Sequence, residues 1–95
     1  MQPTHTLLIT GAASGIGAGI AAQLAEAGRH VIVSDLNLDA AEAVATQIRS
    51  EGGSVEAVAL DVTSQDSIDA ALATISRPID VLVNNAGLQH VSPLE

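Results

Sequence analysis

Apolar and polar positions along this chain of 95 residues fall into blocks with two alternating periods. Short, nearly unbroken apolar runs recur at Thr6-Leu7-Leu8-Ile9-Thr10, His30-Val31-Ile32-Val33-Ser34, Val55 to Leu60 and Asp80-Val81-Leu82-Val83. Runs of this kind suit parallel strands covered on both faces. Between them the apolar spacing lengthens to that of a helix. In the stretch Ile16 to Ala27, residues Ile16, Ile20 and Leu24 lie one turn apart and predict an inward face. Ala41, Val44, Ala45 and Ile48 form a second stripe, and Ile68, Ala71, Leu72 and Ile75 a third.

Punctuation agrees with these blocks. Gly28 is placed to end the first helix. Asp39-Ala-Ala-Glu42 reads as a capping box with Asp39 as N-cap, and Gly52-Gly53 closes that helix. Thr63 or Ser64 is placed to cap the third, and Pro78 interrupts before the last strand. The predicted order is β-α-β-α-β-α-β. Strands separated by helices of this length imply right-handed crossovers and an α/β fold with a parallel sheet. Neither a repeat nor a linker divides the chain, so residues 1–95 read as part of one domain.

Composition sharpens the picture. Hydrophobic residues make up 47% of the chain, which favours a folded core over disorder. With no Phe, Trp or Tyr, that core is built from Val, Ile, Leu and Ala alone. The net charge is −8, with Arg29, Arg49 and Arg77 as the only Arg and no Lys. Nucleic-acid binding needs clustered cations, so it is not expected, and neither is binding to an anionic membrane. The acidity reads as solubility. The absence of Cys excludes disulfides, thiol nucleophiles and thiolate zinc sites. His5, His30 and His90 have no partners at metal-ligand spacing, and His5 and His30 read as loop or strand-edge residues. No metal site is expected. The start, Met1-Gln2-Pro3-Thr4-His5, lacks the basic and long apolar regions of a signal peptide, and a cytoplasmic location is expected.

The chemistry is concentrated in Thr10-Gly-Ala-Ala-Ser-Gly-Ile-Gly17, which joins the first strand to the first helix. A helix N-terminus presents unpaired N–H donors and about half a positive charge, and so attracts phosphate. Gly11 permits the tight turn, Gly15 leaves room for backbone to approach a pyrophosphate, and Gly17 lets the helix pack closely on the sheet. No Lys follows the last glycine, so this is not the phosphate loop of ATPases and GTPases. Ser14 and Ile16 belong to the same loop.

Asp35 directly follows the second strand, 18 residues after Gly17. A carboxylate at about this distance accepts hydrogen bonds from the adenosine ribose hydroxyls. It repels a 2′-phosphate, and neither Ser14 nor Leu36 supplies a compensating charge. The expected cofactor is therefore NAD rather than NADP.

The glycine spacing resembles that of the classical short-chain dehydrogenases/reductases. Asp61-Val62 is similar to the family's adenine-contacting pair after the third strand. Asn84-Asn85-Ala86-Gly87 matches its N-N-A-G motif, and the resemblance covers essentially the whole chain. It implies a Rossmann-type doubly wound sheet in which Asp61 accepts from the adenine amine and Val62 lines the ring. Asn84 would tie the fourth strand to the first turn, with Thr10 as a plausible partner. The Ala86-Gly87 backbone would approach the cofactor. Gly87-Leu88-Gln89-His90-Val91 resembles the corresponding segment of bacterial D-3-hydroxybutyrate dehydrogenases, where a Gln at the Gln89 position helps bind the substrate carboxylate.

The same resemblance implies that the catalytic residues, a Ser and a Tyr-x-x-x-Lys motif, lie beyond residue 95. No residue of this chain is assigned a catalytic role. The chain then reads as the N-terminal, NAD-binding part of an oxidoreductase acting on a small hydroxy acid. The alternatives are a non-catalytic nucleotide-binding or interaction fragment, and a short-chain dehydrogenase for another alcohol. The family sheet would be cut to the order 3-2-1-4. Its fourth strand would be an open edge with exposed Val and Leu, giving marginal stability. Intact members are usually homo-oligomers, and a chain of this extent is expected to self-associate.

Overall fold

The computed structural model describes residues 5–13, 15–75 and 77–85. Its elements are β1 (Thr6–Ile9), α1 (Gly15–Glu26), β2 (His30–Asp35), α2 (Leu38–Ser50), β3 (Ser54–Ala59), α3 (Gln65–Thr74) and β4 (Val81–Val83). The sheet has the order β3-β2-β1-β4 and its pairings are all parallel. This is the Rossmann-type arrangement the sequence predicts.

Alternation along the strands divides the core between two faces. On one face, Ile9, Val31 and Val33 pack against Ala21 and Ala25 of α1 and Ala41, Ala45 and Ile48 of α2. On the other, Leu8, Ile32, Val58 and Leu60 pack against Ala71 of α3. The central strands β1 and β2 are buried almost throughout, as their continuous apolar runs require. The edge strand β4 is different: Val81 and Leu82 are exposed.

Three local details differ from the sequence reading. The stripe of α1 that meets the core is Gly17, Ala21 and Ala25, not Ile16, Ile20 and Leu24. Small residues let the helix axis approach the sheet, so Ile20 and Leu24 flank the contact and Ile16 is left exposed. The N-cap of α2 is Asn37 rather than Asp39: its backbone is extended, and its Oδ1 accepts the Ala40 N–H at 3.1 Å. Asp39 already lies inside the first turn, where its charge favourably faces the positive helix pole. In α3, Ser64 is the N-cap, one of the two residues the sequence offered, but Leu72 is exposed because α3 rests on the sheet through Ile68 and Ala71, with Ile75 at its C-cap.

Among the described residues, no helix is long and apolar enough to cross a membrane, and no group of three or more His, Cys, Asp or Glu is placed to hold a metal ion.

Candidate functional site

The candidate site lies at the C-terminal ends of the strands, where β1 and β4 adjoin, with α1 and α2 packed on one face of the sheet and α3 on the other. In parallel sheets this switch point opens a crevice. Here the first turn lies at that end of the sheet. Thr10 N–H donates to the Val83 carbonyl at 3.0 Å, and Ala12 N–H to the Ser34 carbonyl at 2.9 Å. The turn between β1 and α1 is thus anchored on both neighbouring strands.

The glycines separate by geometry. Gly11 has φ of 63°, a left-handed conformation that a side chain disfavours. A Cβ on Gly17 would meet the Gly11 carbonyl oxygen at 2.5 Å, Asn85 Nδ2 at 2.7 Å and Ala12 Cα at 2.9 Å. Helix α1 therefore touches the turn it follows, and only Gly fits. A Cβ on Gly15 would meet nothing within 4 Å. Its side faces open space at the helix start, as expected where an outside molecule approaches the backbone. Ser14 lies outside the described residues.

Asp35 is joined directly to this turn. Its Oδ2 accepts the Ala13 N–H at 3.1 Å, and its Oδ1 accepts the Asn37 N–H at 3.2 Å. A carboxylate oxygen accepts two donors, so both atoms retain capacity for hydroxyl groups. The sequence spacing therefore translates into contact between the acid and the glycine turn.

Asp61 stands at the next strand end. Its Oδ1 accepts both the Thr63 hydroxyl, at 2.6 Å, and the Thr63 N–H, at 2.9 Å. The hydroxyl first and the N–H second hold the carboxyl below its usual range, against a smaller opposing effect of burial. Ser67 Oγ accepts the Asp61 N–H at 2.8 Å, so the start of α3 fixes the backbone of this residue. Leu36 and Val62 follow the ends of β2 and β3, and Ile16 is the second residue of α1. All three side chains are exposed.

The two asparagines after β4 have separate tasks. Thr10 Oγ1 donates to Asn84 Oδ1 at 3.1 Å, the tie between the fourth strand and the first turn that the sequence suggests. Asn85 has a role that sequence reasoning did not assign. It is buried, and its Nδ2 donates to the Gly11 carbonyl at 3.1 Å. This holds the left-handed turn from below. The signal was the adjacency of two amides at a strand end, since consecutive residues there point to opposite sides. Ala86, Gly87 and Gln89 lie outside the described residues.

The distribution of charge is uneven. Asp35 and Asp61 both stand at the mouth. The chain's three arginines do not: Arg29 precedes β2, Arg49 lies in the last turn of α2 and Arg77 precedes β4. All three therefore occupy the opposite end of the sheet.

Comparison with known proteins follows this geometry. Residues 5–95 match the family model for short chain dehydrogenase. The chain belongs to the short chain dehydrogenase family. It is 42% identical to a D-threitol dehydrogenase of Mycolicibacterium smegmatis over 91 residues, covering 93% of this chain and 35% of that protein. The short chain dehydrogenase fold is shared with an actinorhodin polyketide ketoreductase crystallised with NADPH (TM-score 0.81, 34% identity, 86% of this chain and 33% of that one). It is shared too with a putative D-mannonate oxidoreductase from Haemophilus influenza with bound NAD (TM-score 0.79, 30% identity, 82% and 29%). This chain therefore spans about a third of the length of such short chain dehydrogenases.

Proposed function

We propose that the chain is the adenosine-diphosphate-binding part of an NAD-dependent oxidoreductase, residues 1–95 of a single Rossmann domain. One observation carries the choice of NAD. The Asp35 carboxylate is bonded to the glycine turn, at the site of a ribose, while every arginine of the chain is at the far end of the sheet. A 2′-phosphate would meet a carboxylate and no guanidinium. The solved relatives include one with NAD and one with NADPH, so the family leaves the choice to such local residues.

The residues divide the work. The N–H groups at the start of α1, with Gly11, Ser14, Gly15 and Gly17, receive the pyrophosphate. Asp35 accepts from the ribose. Leu36, Asp61 and Val62 hold the adenine, and Ile16 borders the phosphates. Asn84 keeps β4 and the first turn together, and the Ala86-Gly87 backbone approaches the cofactor. Bound NAD supplies the hydride acceptor. With no Tyr and no Lys, this chain contributes binding and orientation rather than proton transfer.

For the substrate, Gln89 supports a small hydroxy acid such as 3-hydroxybutyrate, because its amide donates to a carboxylate without adding charge. A second reading, a polyol, is favoured by the similarity to D-threitol dehydrogenase.

Calorimetric titration tests the cofactor. NAD and ADP-ribose are expected to bind with similar affinity, and NADP at least about tenfold more weakly, a difference of about 1.4 kcal/mol. Asp35→Ala should narrow that gap. Equal affinity for NAD and NADP in the unaltered chain would refute the assignment. Repeating the titration at saturating NAD with 3-hydroxybutyrate and with threitol separates the two substrate readings.

A further inference from the structure

At the end of the sheet away from the proposed cofactor site, a polar cluster around the buried His30 joins β2 to β3. His30 begins β2 and is only 5% exposed. It stands at the end of its strand, as the sequence suggested, yet it is buried. Both ring nitrogens reach across to β3: Nδ1 is 2.5 Å from Ser54 Oγ, and Nε2 is 2.7 Å from Glu56 Oε2. One tautomer satisfies both contacts, with the Ser54 hydroxyl donating to Nδ1 and Nε2–H donating to the Glu56 carboxylate.

Strand β3 needs such a contact. Among the described residues it is an edge strand and pairs only with β2. On the face turned to α1 and α2, Val55, Ala57 and Ala59 lie opposite Val31, Val33 and Asp35. These small, similar side chains discriminate poorly against a slip of two residues, which leaves each side chain on its own face. Such a slip displaces the strand by about 6.6 Å. The other face decides. A slip in either direction removes Ser54 from His30, and in one direction it sets Glu56 directly opposite His30, so that the Ser54 contact alone discriminates there. In the other it carries the Glu56 carboxylate beside the fully buried Ser34, an environment that penalises an unpaired charge.

We infer that His30, with Ser54 and Glu56, sets the register of β3 and thereby positions Asp61 relative to Asp35. The connection runs along the ladder. Ser54 pairs with His30 at one end and Ala59 with Asp35 at the other. Beyond that pair, Leu60 N–H donates to the Asp35 carbonyl at 2.9 Å, and Asp61 is the next residue. The register claim stands on geometry alone. Its consequence for ligand binding rests on the reading of Asp35 and Asp61 given above. His30 is then a positioning residue that touches no ligand.

The test combines NMR of the whole chain with titration by ADP-ribose. In His30→Ala, amide exchange within β3 should accelerate about tenfold or more relative to β1. Cross-strand contacts shifted by two residues should appear, and ADP-ribose affinity should fall by about tenfold. Glu56→Gln keeps an acceptor for Nε2–H and should hold both quantities within about twofold of the parent. Ile20→Val, which weakens the core on α1 away from β3, should lower the thermal midpoint without changing register or the exchange ratio. If His30→Ala does not fold, Glu56→Ala at the partly exposed partner gives the same readout. Native contacts and an unchanged exchange ratio in the folded variant overturn the inference. Failure of the unaltered, folded chain to bind ADP-ribose overturns the function instead, and the exchange ratio still decides the register.

Discussion

Gly15 and Gly17 are two residues apart in one motif, yet adding a methyl group to each should have opposite effects. In Gly17→Ala the new Cβ lies 2.5 Å from the Gly11 carbonyl oxygen, about 0.9 Å inside the 3.4 Å at which ordinary contact begins. Two of the three atoms it meets are backbone and cannot rotate away. Overpacking of this kind costs about 1–3 kcal/mol, and the rigidity of the neighbours places it in the upper part of that range. Replacing Gly by Ala within a helix returns about 1 kcal/mol. The net loss is about 1–2 kcal/mol, and each kcal/mol lowers the melting temperature of a domain this size by about 4–8 °C.

Gly15→Ala meets nothing, so its stability should be unchanged or raised by a few tenths of a kcal/mol, about what a less flexible unfolded chain provides. Its Cβ would instead fill space at the start of α1, where the pyrophosphate is proposed to sit, and NAD affinity should fall by about tenfold or more. Gly19→Ala is the control. It lies on the exposed side of α1 with open space around it, and should gain about 1 kcal/mol with no change in affinity. Urea unfolding followed by circular dichroism measures the stabilities, and calorimetry the affinities. A Gly17→Ala chain as stable as Gly19→Ala would refute the packing argument. A Gly15→Ala chain that binds NAD as tightly as its parent would refute the placement of the phosphates.

Two other predictions follow from single side chains. Asn37→Ala should destabilise the chain by about 1 kcal/mol by removing the acceptor for the Ala40 N–H, whereas Asp39→Ala should change it by less than about 0.5 kcal/mol, read from urea midpoints. Thr63→Val removes the hydroxyl bonded to Asp61 and should raise the Asp61 pKa, followed by NMR titration of the carboxyl carbon. Because folding lowers that pKa, its stabilising effect is complete above the usual carboxylate value of about 4 and fades as pH falls through the lower folded value. The variant should therefore lose less stability than its parent on acidification through that window, and an unchanged Asp61 titration would contradict the cause assigned here.

The sequence by itself determined the order of elements, the parallel sheet and the place of the glycine turn. These depend on local quantities: unbroken apolar runs, helical spacing, and glycine where the backbone must turn or make a close approach. It also located Asp35, because a strand of fixed rise brings its last residue to the same end of the sheet as the preceding turn. The tertiary structure decided what depends on distance between elements. Helical spacing favoured Ile16, Ile20 and Leu24, but spacing does not measure how near an axis lies to a sheet. The close approach allowed by Gly17, Ala21 and Ala25 turned the helix onto its small residues. The support of Gly11 by Asn85 and the joining of His30 to Ser54 and Glu56 were hidden for the same reason. Each depends on groups far apart in the chain, and a hydrogen bond exists only where folding brings donor and acceptor within about 3 Å.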